Sequence, residues 1–335
     1  MNKIGFNLGL SKGGPSNFIR RLKISLRDQN LLKTSFFFDP TIDFFLCTNQ
    51  SFFNLWHKKL ILRVDGVPYK RFLVTKKLNN QNKKYNNHLN KSKGIIFQSH
   101  FSKKIYYKFF CIDKRIPNKV IYNGVNLKRF SQNGINLRKK LGIKKNDIVF
   151  IASANYRNEN KRLNLLIECF NKFKYGNKKI FLVILGNVNE NLNIKTIKND
   201  KIIFTGKIDS DKLAYWYRTG DALLHFTYID WCPNSVIEAI ACGLPVLTTN
   251  LGGTNELINI TNCGLVVKAD SKKKLSSIEP NSPPAANINK ILQGMKKILK
   301  NKNKILQKRD LKKIDIDYVS REYTSFIKKI SKNIN

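Results

Sequence analysis

Residues Phe204–Leu257 read FTGKIDSDKLAYWYRTGDALLHFTYIDWCPNSVIEAIACGLPVLTTNLGGTNEL. Lys201–Thr205 forms a short apolar-biased strand leading to Gly206, and Asp211–Thr219 has helical character. Ala222–His225 and Pro245–Thr248 are brief apolar runs bounded by turn residues, as buried strands are. Between them Asn234-Ser235 opens a helix that Gly243 terminates, with Pro245 just beyond. This alternation of strand and helix predicts a parallel sheet wrapped by helices.

The same alternation extends outward on both sides. Ile148–Ala152 and Ile180–Leu185 are further strands, separated by a helix marked by Leu163, Leu166, Phe170 and Phe173. Nearer the N-terminus, the strand Lys3–Leu8 is followed by Gly13-Gly14 and a helix reaching about Arg27, with Phe18, Ile19, Leu22 and Leu26 on one face. Phe44–Thr48, Leu60–Val64, Gly94–Gln98 and Lys119–Ile121 read as strands, and Lys76–Lys93 as a polar surface helix or loop. The pattern restarts after Asn136 and gives way to loop character at Ser271. Ser276–Pro284 carries three prolines and reads as a surface loop. Amphipathic helices follow at about Ile288–Leu299 and Asp317–Ile330. The organisation expected is two doubly wound α/β units without an internal repeat, 1–135 and 136–305. A C-terminal segment, 306–335, is expected to pack back toward the first. The working site is expected in a cleft between the units.

A length of 335 residues suits two such domains. No apolar window reaches the roughly 20 residues of a spanning helix, and residues 1–7 lack a signal-peptide core, so the expected location is cytoplasmic. The six cysteines include no C-x-x-C pair and read as reduced thiols. Charge is the outlier: 62 Lys+Arg face 22 Asp+Glu, a formal +40. Between Ser51 and Ser131 there are 19 Lys/Arg and two acids, Asp65 and Asp113. Two readings stand side by side, a compositional drift toward Lys and Asn, or a surface for an anionic partner such as the inner face of a membrane.

The Phe204–Leu257 stretch resembles the donor-binding half of glycosyltransferase family 4. The resemblance rests on the strand ending in Gly, the Leu-Tyr-Asp helix and strand, the carboxylates Asp230 and Glu238 with seven residues between them, GLPV, and the following GG--E. Weaker matches are Gly13-Gly14, ILRVDGVP (61–68), IFQSHFSKK (96–104), VIYNGVNLKRF (120–130) and YRNENKRLNLLIECF (156–170). The resemblance implies a GT-B fold of two Rossmann-like domains. It implies a retaining, metal-independent transferase that takes a nucleoside-diphosphate sugar as co-substrate, with no separate cofactor. The acceptor would be a glycan or lipid-linked hydroxyl in polysaccharide, lipopolysaccharide or other glycoconjugate synthesis. With no obvious nucleophile beside the sugar, retention implies front-face displacement guided by the leaving phosphate.

Site residues follow from the same matches. Glu238 implies a ligand for the ribose hydroxyls, although Ser235-x-x-Glu238 also reads as a capping box. Asp230 stands where the family usually carries Glu and implies contact with the transferred sugar and the charge developing at its anomeric carbon. Arg157 and Lys161 match the cations that hold the donor pyrophosphate, one residue closer together than usual; Arg162 competes for that role. Backbone amides at Asn234, Ser235 and Val236 offer an anion or hydroxyl contact at a helix N-terminus. Gly13 and Gly14 would let the backbone approach the diphosphate. Asp65 is an acceptor-side catalytic candidate or an Asp-Gly turn, while His100, Asp113 and Asn123-Gly124 read as structural. Of the two D-x-D strings, Asp209-Ser210-Asp211 reads as an N-cap and Asp315-Ile316-Asp317 as acids at a helix start, so no metal site is expected. A sugar-nucleotide epimerase on the same scaffold and a basic nucleic-acid-binding protein are the competing functions. The carboxylate pair with its GG--E turn argues against the first. The lack of an aromatic–basic platform or a known nucleic-acid module argues against the second.

Overall fold

Apolar strands of four to six residues cannot each expose a polar face, so they pair side by side under a double layer of helices. The computed structural model shows this arrangement twice. It describes residues 3–6, 14–36, 41–48, 59–66, 76–188, 199–270 and 283–332. One unit comprises Met1–Asn126 with Lys312–Asn335 and the other Leu127–Leu311. The divisions thus fall at 126/127 and 311/312, where the sequence pattern suggests 135/136 and 305/306.

In the first unit β1 (Lys3–Phe6), α1 (Gly14–Asp28), β2 (Lys33–Phe36), β3 (Phe44–Thr48), β4 (Leu60–Val64), α2 (Lys76–Lys91), β5 (Gly94–Phe97), α3 (His100–Phe109) and β6 (Asn118–Val120) follow in order. The parallel sheet runs β2-β1-β3-β4-β5-β6. Within the 76–93 segment Lys76–Lys91 forms a mostly polar helix that buries Tyr85 and Leu89 fully. The C-terminal helix, Ile316–Lys332, belongs to this unit and lies along α1. Its apolar stripe of Ile316, Val319, Tyr323, Phe326, Ile327 and Ile330 joins Phe18, Ile19, Leu22 and Leu26 in one core. Each such side chain contributes about 1.5–3 kcal/mol by burial. A polar seam fixes the register: Ser25 Oγ lies 2.7 Å from Asp317 Oδ1, and Gln29 Nε2 donates to Ser320 Oγ at 2.7 Å.

The second unit contains β7 (Ile148–Ser153), α4 (Leu163–Lys172), β8 (Ile180–Leu185), β9 (Ile202–Gly206), α5 (Leu213–Thr219), β10 (Ala222–His225), α6 (Asn234–Ala241), β11 (Val246–Thr249), α7 (Thr254–Thr261), β12 (Gly264–Val267), α8 (Ile288–Lys300) and α9 (Lys302–Gln307). The C-terminal helix of the chain is therefore α10. Its sheet order is β12-β11-β10-β7-β8-β9, again all parallel. Chain order runs outward from β7 through β8 to β9, then restarts on the other side at β10. The topological switch point therefore lies between β7 and β10. Gly243 ends the α6 segment at φ +79°, in the left-handed region that suits glycine.

Two local expectations fail for physical reasons. The sequence reading begins a helix at Asp211, capped by its acids, but the Lys212 amide donates to the Asp209 carbonyl and closes a turn first. The helix then starts at Leu213 with no side-chain cap. The capping box Ser235–Glu238 does not form either: α6 starts two residues earlier than a helix capped by Ser235 would, Pro233 takes the N-cap position, and no side chain caps it. At the other D-x-D string, Asp315 Oδ1 accepts from the Asp317 amide at 3.1 Å, at the start of α10.

Candidate functional site

A parallel sheet directs the loops that follow its strands to one edge, and at a switch point the two neighbouring loops diverge and leave a crevice. In the second unit those are the loops after β7 and β10. The first carries Arg157 and Lys161, the second Asp230, and the second continues into α6 with Glu238. Backbone hydrogen bonds lock the loops together: the Tyr228 amide donates to the Asn160 carbonyl at 2.8 Å, and the Gly253 amide to the Asp230 carbonyl at 2.7 Å. The second bond requires a bare backbone. Gly252 has φ +99°, and a Cβ there would stand 2.9 Å from the Asp230 carbonyl oxygen. The GG after β11 is thus a clasp on the main chain of Asp230.

The structure brings Lys161 and Asp230 into contact. Lys161 Nζ donates to Asp230 Oδ2 at 2.9 Å, and the Trp231 amide donates to Oδ1 at 2.9 Å. His225, the last residue of β10, brings Nε2 to 3.7 Å from the same Oδ2. Burial pushes the Asp230 carboxyl up, but the charges of Lys161 and His225 and the two hydrogen bonds outweigh it and hold the group below its ordinary value. Burial takes the His225 imidazole down to about 4, with Asp230 pulling the other way and Lys161 adding to the fall, so it is neutral at pH 7.

Glu238 is 4% exposed on α6. Tyr217 of α5 donates its hydroxyl to Glu238 Oε2 at 3.3 Å and meets Ser153 Oγ at 3.0 Å. Burial, then the charge of Glu238, raises the Tyr217 phenol well above its ordinary range, so it keeps its proton and remains a donor. The Val236 amide is engaged within the helix, donating to the Pro233 carbonyl at 3.2 Å. Asn234 and Ser235 are half-buried at the helix start, and Arg157 is exposed.

Arg162 is held inside the unit. Its guanidinium is enclosed, donating to Asp270 Oδ1 at 2.6 Å and to the Pro284 carbonyl at 2.9 Å while it covers the Tyr228 ring. In the first unit, Gly14 opens α1 and is exposed, and Gly13 lies outside the described residues. Asp65 sits just past β4 with its side chain 1% exposed, paired with the fully buried Arg63 and accepting from Gln98 Nε2. Arg63 donates to Asn123 Oδ1 and lies over the Phe18 ring. Asp113 pairs at the surface with Arg115, and His100 is the exposed first residue of α3. Among the described residues no three His, Cys, Asp or Glu side chains cluster as metal ligands do.

The sequence singles out Gly252-Gly253 within the GG--E motif but not as a clasp on Asp230, and it gives no role to His225 or Tyr217. These two reside in apolar contexts that read as core.

Residues 134–278, most of the second unit, match the family described as glycosyl transferases group 1. A 151-residue stretch is 28% identical to the uncharacterized glycosyltransferase MJ1607 of Methanocaldococcus jannaschii, covering 42% of this chain and 38% of that one. The match thus spans about two fifths of that relative. Among solved structures, sucrose-phosphate synthase from Thermosynechococcus elongatus superposes with a TM-score of 0.72 at 13% identity, over 99% of this chain and 100% of the other. HepE of Anabaena, in complex with UDP-glucose, gives 0.62 at 14% identity, over 100% and 98%. At such identities the likeness speaks for the fold, which is GT-B, with two Rossmann-like domains.

Proposed function

We propose that this chain is a retaining, metal-independent glycosyltransferase that moves a sugar from a nucleoside-diphosphate donor to the hydroxyl of a glycan or lipid-linked acceptor. The observation that carries this reading is the juxtaposition of Lys161 and Asp230 at the switch point of the unit that matches the group 1 family. A diphosphate entering that crevice competes with Asp230 for the Lys161 ammonium, and Arg157 on the same loop adds a second cation. Together they supply the countercharge for the departing nucleoside diphosphate. Asp230, ionised at neutral pH and released from Lys161, then faces the transferred sugar and the positive charge growing at its anomeric carbon. Glu238, oriented by Tyr217, accepts from the ribose hydroxyls. The new glycosidic bond forms on the face the phosphate leaves, and the acceptor's proton passes to the departing phosphate oxygen, which preserves the anomeric configuration.

A thermal-shift and hydrolysis panel of UDP-, GDP- and dTDP-sugars, run with EDTA, tests the reading. Because HepE is solved with UDP-glucose, uridine donors head the panel. Stabilisation by one nucleotide class and turnover that survives the chelator support it. Turnover restored only by Mn²⁺ overturns metal independence, and an epimerised donor as product overturns the transferase. Asp230→Asn should lower kcat by about 10²–10³-fold while leaving the affinity for the free nucleotide intact, the mark of an interaction felt mainly in the transition state.

The basic stretch 51–131 supports a peripheral seat on an anionic membrane, where each Lys or Arg contributes about 1 kcal/mol. No helix among the described residues is long and apolar enough to cross one. Sedimentation with anionic and neutral vesicles at low salt distinguishes the seat, which requires anionic lipid, from compositional drift, which gives no difference.

A further inference from the structure

His225 is a buried titratable group in the second unit that the mechanism above does not use. Its side chain is 3% exposed. Nε2 is sealed from solvent and has no hydrogen-bond partner among the described residues. A buried ring nitrogen left without a partner costs about 1–3 kcal/mol, so the position needs a reason. Asp230 Oδ2 stands 3.7 Å from Nε2, just beyond hydrogen-bond reach. That oxygen is already taken by Lys161 Nζ at 2.9 Å. Three groups therefore meet at one carboxylate, with Lys161 in contact and His225 standing behind it.

We propose that His225 is a positioning residue for sugar transfer, closing its Nε2–H onto Asp230 Oδ2 when Lys161 leaves that oxygen for the donor diphosphate. The inference rests on the glycosyltransferase reading above. The main chain of Asp230 is clasped by Gly253, so the oxygen has little freedom to follow the departing ammonium. A shift of under about one ångström brings Nε2 within about 3 Å, the usual N–H···O length. Asp230 then keeps a donor on each oxygen, Trp231 on Oδ1 and His225 on Oδ2, and its charge stays aimed while Lys161 is engaged elsewhere. A neutral imidazole suits this role, because it donates one hydrogen bond without cancelling the negative charge that the developing cation needs. The charged groups acting on the ring are Asp230 and Lys161.

The experiment compares His225→Gln, whose amide nitrogen reaches near the Nε2 position, with His225→Leu, which fills the space without a donor. His225→Leu should lower kcat about tenfold or more, with the donor KM and the free-nucleotide Kd within about twofold of the parent. His225→Gln should recover most of the loss. Against an Asp230→Asn background, His225→Leu should have no further effect, because it acts through that carboxylate. A folded His225→Leu protein with parental kcat overturns the proposal, as do equal losses in the two variants. A readout free of turnover is the His225 titration by NMR in a chain with four histidines. Replacing Lys161 by Met, or saturating the parent with UDP, should raise the His225 pKa from about 4, since the ring then faces the carboxylate alone. An unmoved pKa in both overturns the proposal. If the parent protein transfers no sugar from any donor while the titration behaves as expected, the glycosyltransferase reading has failed and takes the catalytic role with it, leaving only the contact.

Discussion

Each unit sets a cation against a carboxylate at or just past the ends of strands in its parallel sheet, and the surroundings of the two pairs are opposite. Arg63 and Asp65 in the first unit are 0% and 1% exposed, with Gln98, Asn123 and the Phe18 ring closing around them. Lys161 and Asp230 in the second are 19% and 16% exposed, at a switch point. An enclosed pair holds its charges only because every neighbour is arranged for it, and removing one partner leaves a buried charge. A partly open pair costs less to break, because water or an incoming anion can reach the partner left behind. The first pair therefore frames the end of β4, and the second is poised to exchange partners.

The largest expected effect tests that contrast directly. Arg63→Met should destabilise the protein by about 3–5 kcal/mol by stranding Asp65, and adding Asp65→Leu should restore most of it. Lys161→Met should cost less than Arg63→Met, about 1–3 kcal/mol, because the Trp231 amide still donates to Asp230 and water can reach the carboxylate, yet weaken nucleoside-diphosphate binding. Denaturant melts beside calorimetric titration measure both, and a Lys161→Met protein as unstable as Arg63→Met erases the distinction.

Next in size is a pH effect confined to the second unit. The His225 pKa falls from 6.5 unfolded to about 4 folded, so between those values the unfolded chain binds more protons and stability drops as pH is lowered. At about 1.36 kcal/mol per unit the full loss is about 3 kcal/mol, absent above pH 6.5 and complete below about 4. Asp230 acts in the same direction at lower pH: with its folded pKa depressed, its contribution is present above the ordinary carboxyl value and lost as pH falls through the folded one. Melting curves of His225→Gln should lose the slope between pH 6.5 and about 4, and an unchanged slope refutes the assignment.

Smallest is the test of Glu238. If it holds the ribose, Glu238→Gln degrades a charge-assisted hydrogen bond worth about 1.5–3 kcal/mol, or roughly tenfold or more in nucleotide affinity, while the amide oxygen still accepts from Tyr217. Parental affinity in a folded variant would remove Glu238 from the site.

The central strands were legible because Leu60–Val64, Ile180–Leu185 and Ala222–His225 have no other way to bury their side chains. β2, Lys-Thr-Ser-Phe, was not, since an edge strand needs little apolar content. Lys161, Asp230 and Glu238 were visible through a family resemblance and a spacing, and the contact of Lys161 with Asp230 is a finding of the structure. His225 and Tyr217 were hidden because a polar side chain at the end of an apolar run acquires meaning only from what the fold puts opposite it. The capping-box alternative for Ser235-x-x-Glu238 has the right letters, but Pro233 takes the N-cap position, two residues too early for Ser235 to cap the helix.

The first unit is assembled from both ends of the chain, with α10 completing a core begun by α1. On the ribosome, Phe18, Leu22 and Leu26 emerge long before Ile316, Tyr323 and Ile327 exist to cover them. At about 5–20 residues per second, synthesis of the residues between α1 and α10 leaves that face uncovered for roughly fifteen to sixty seconds. The second unit, continuous in sequence, can fold within that interval. The later half of the chain is thus free to mature first, and the earlier half depends during its wait on chaperones, or on its dense positive charge, to stay unaggregated.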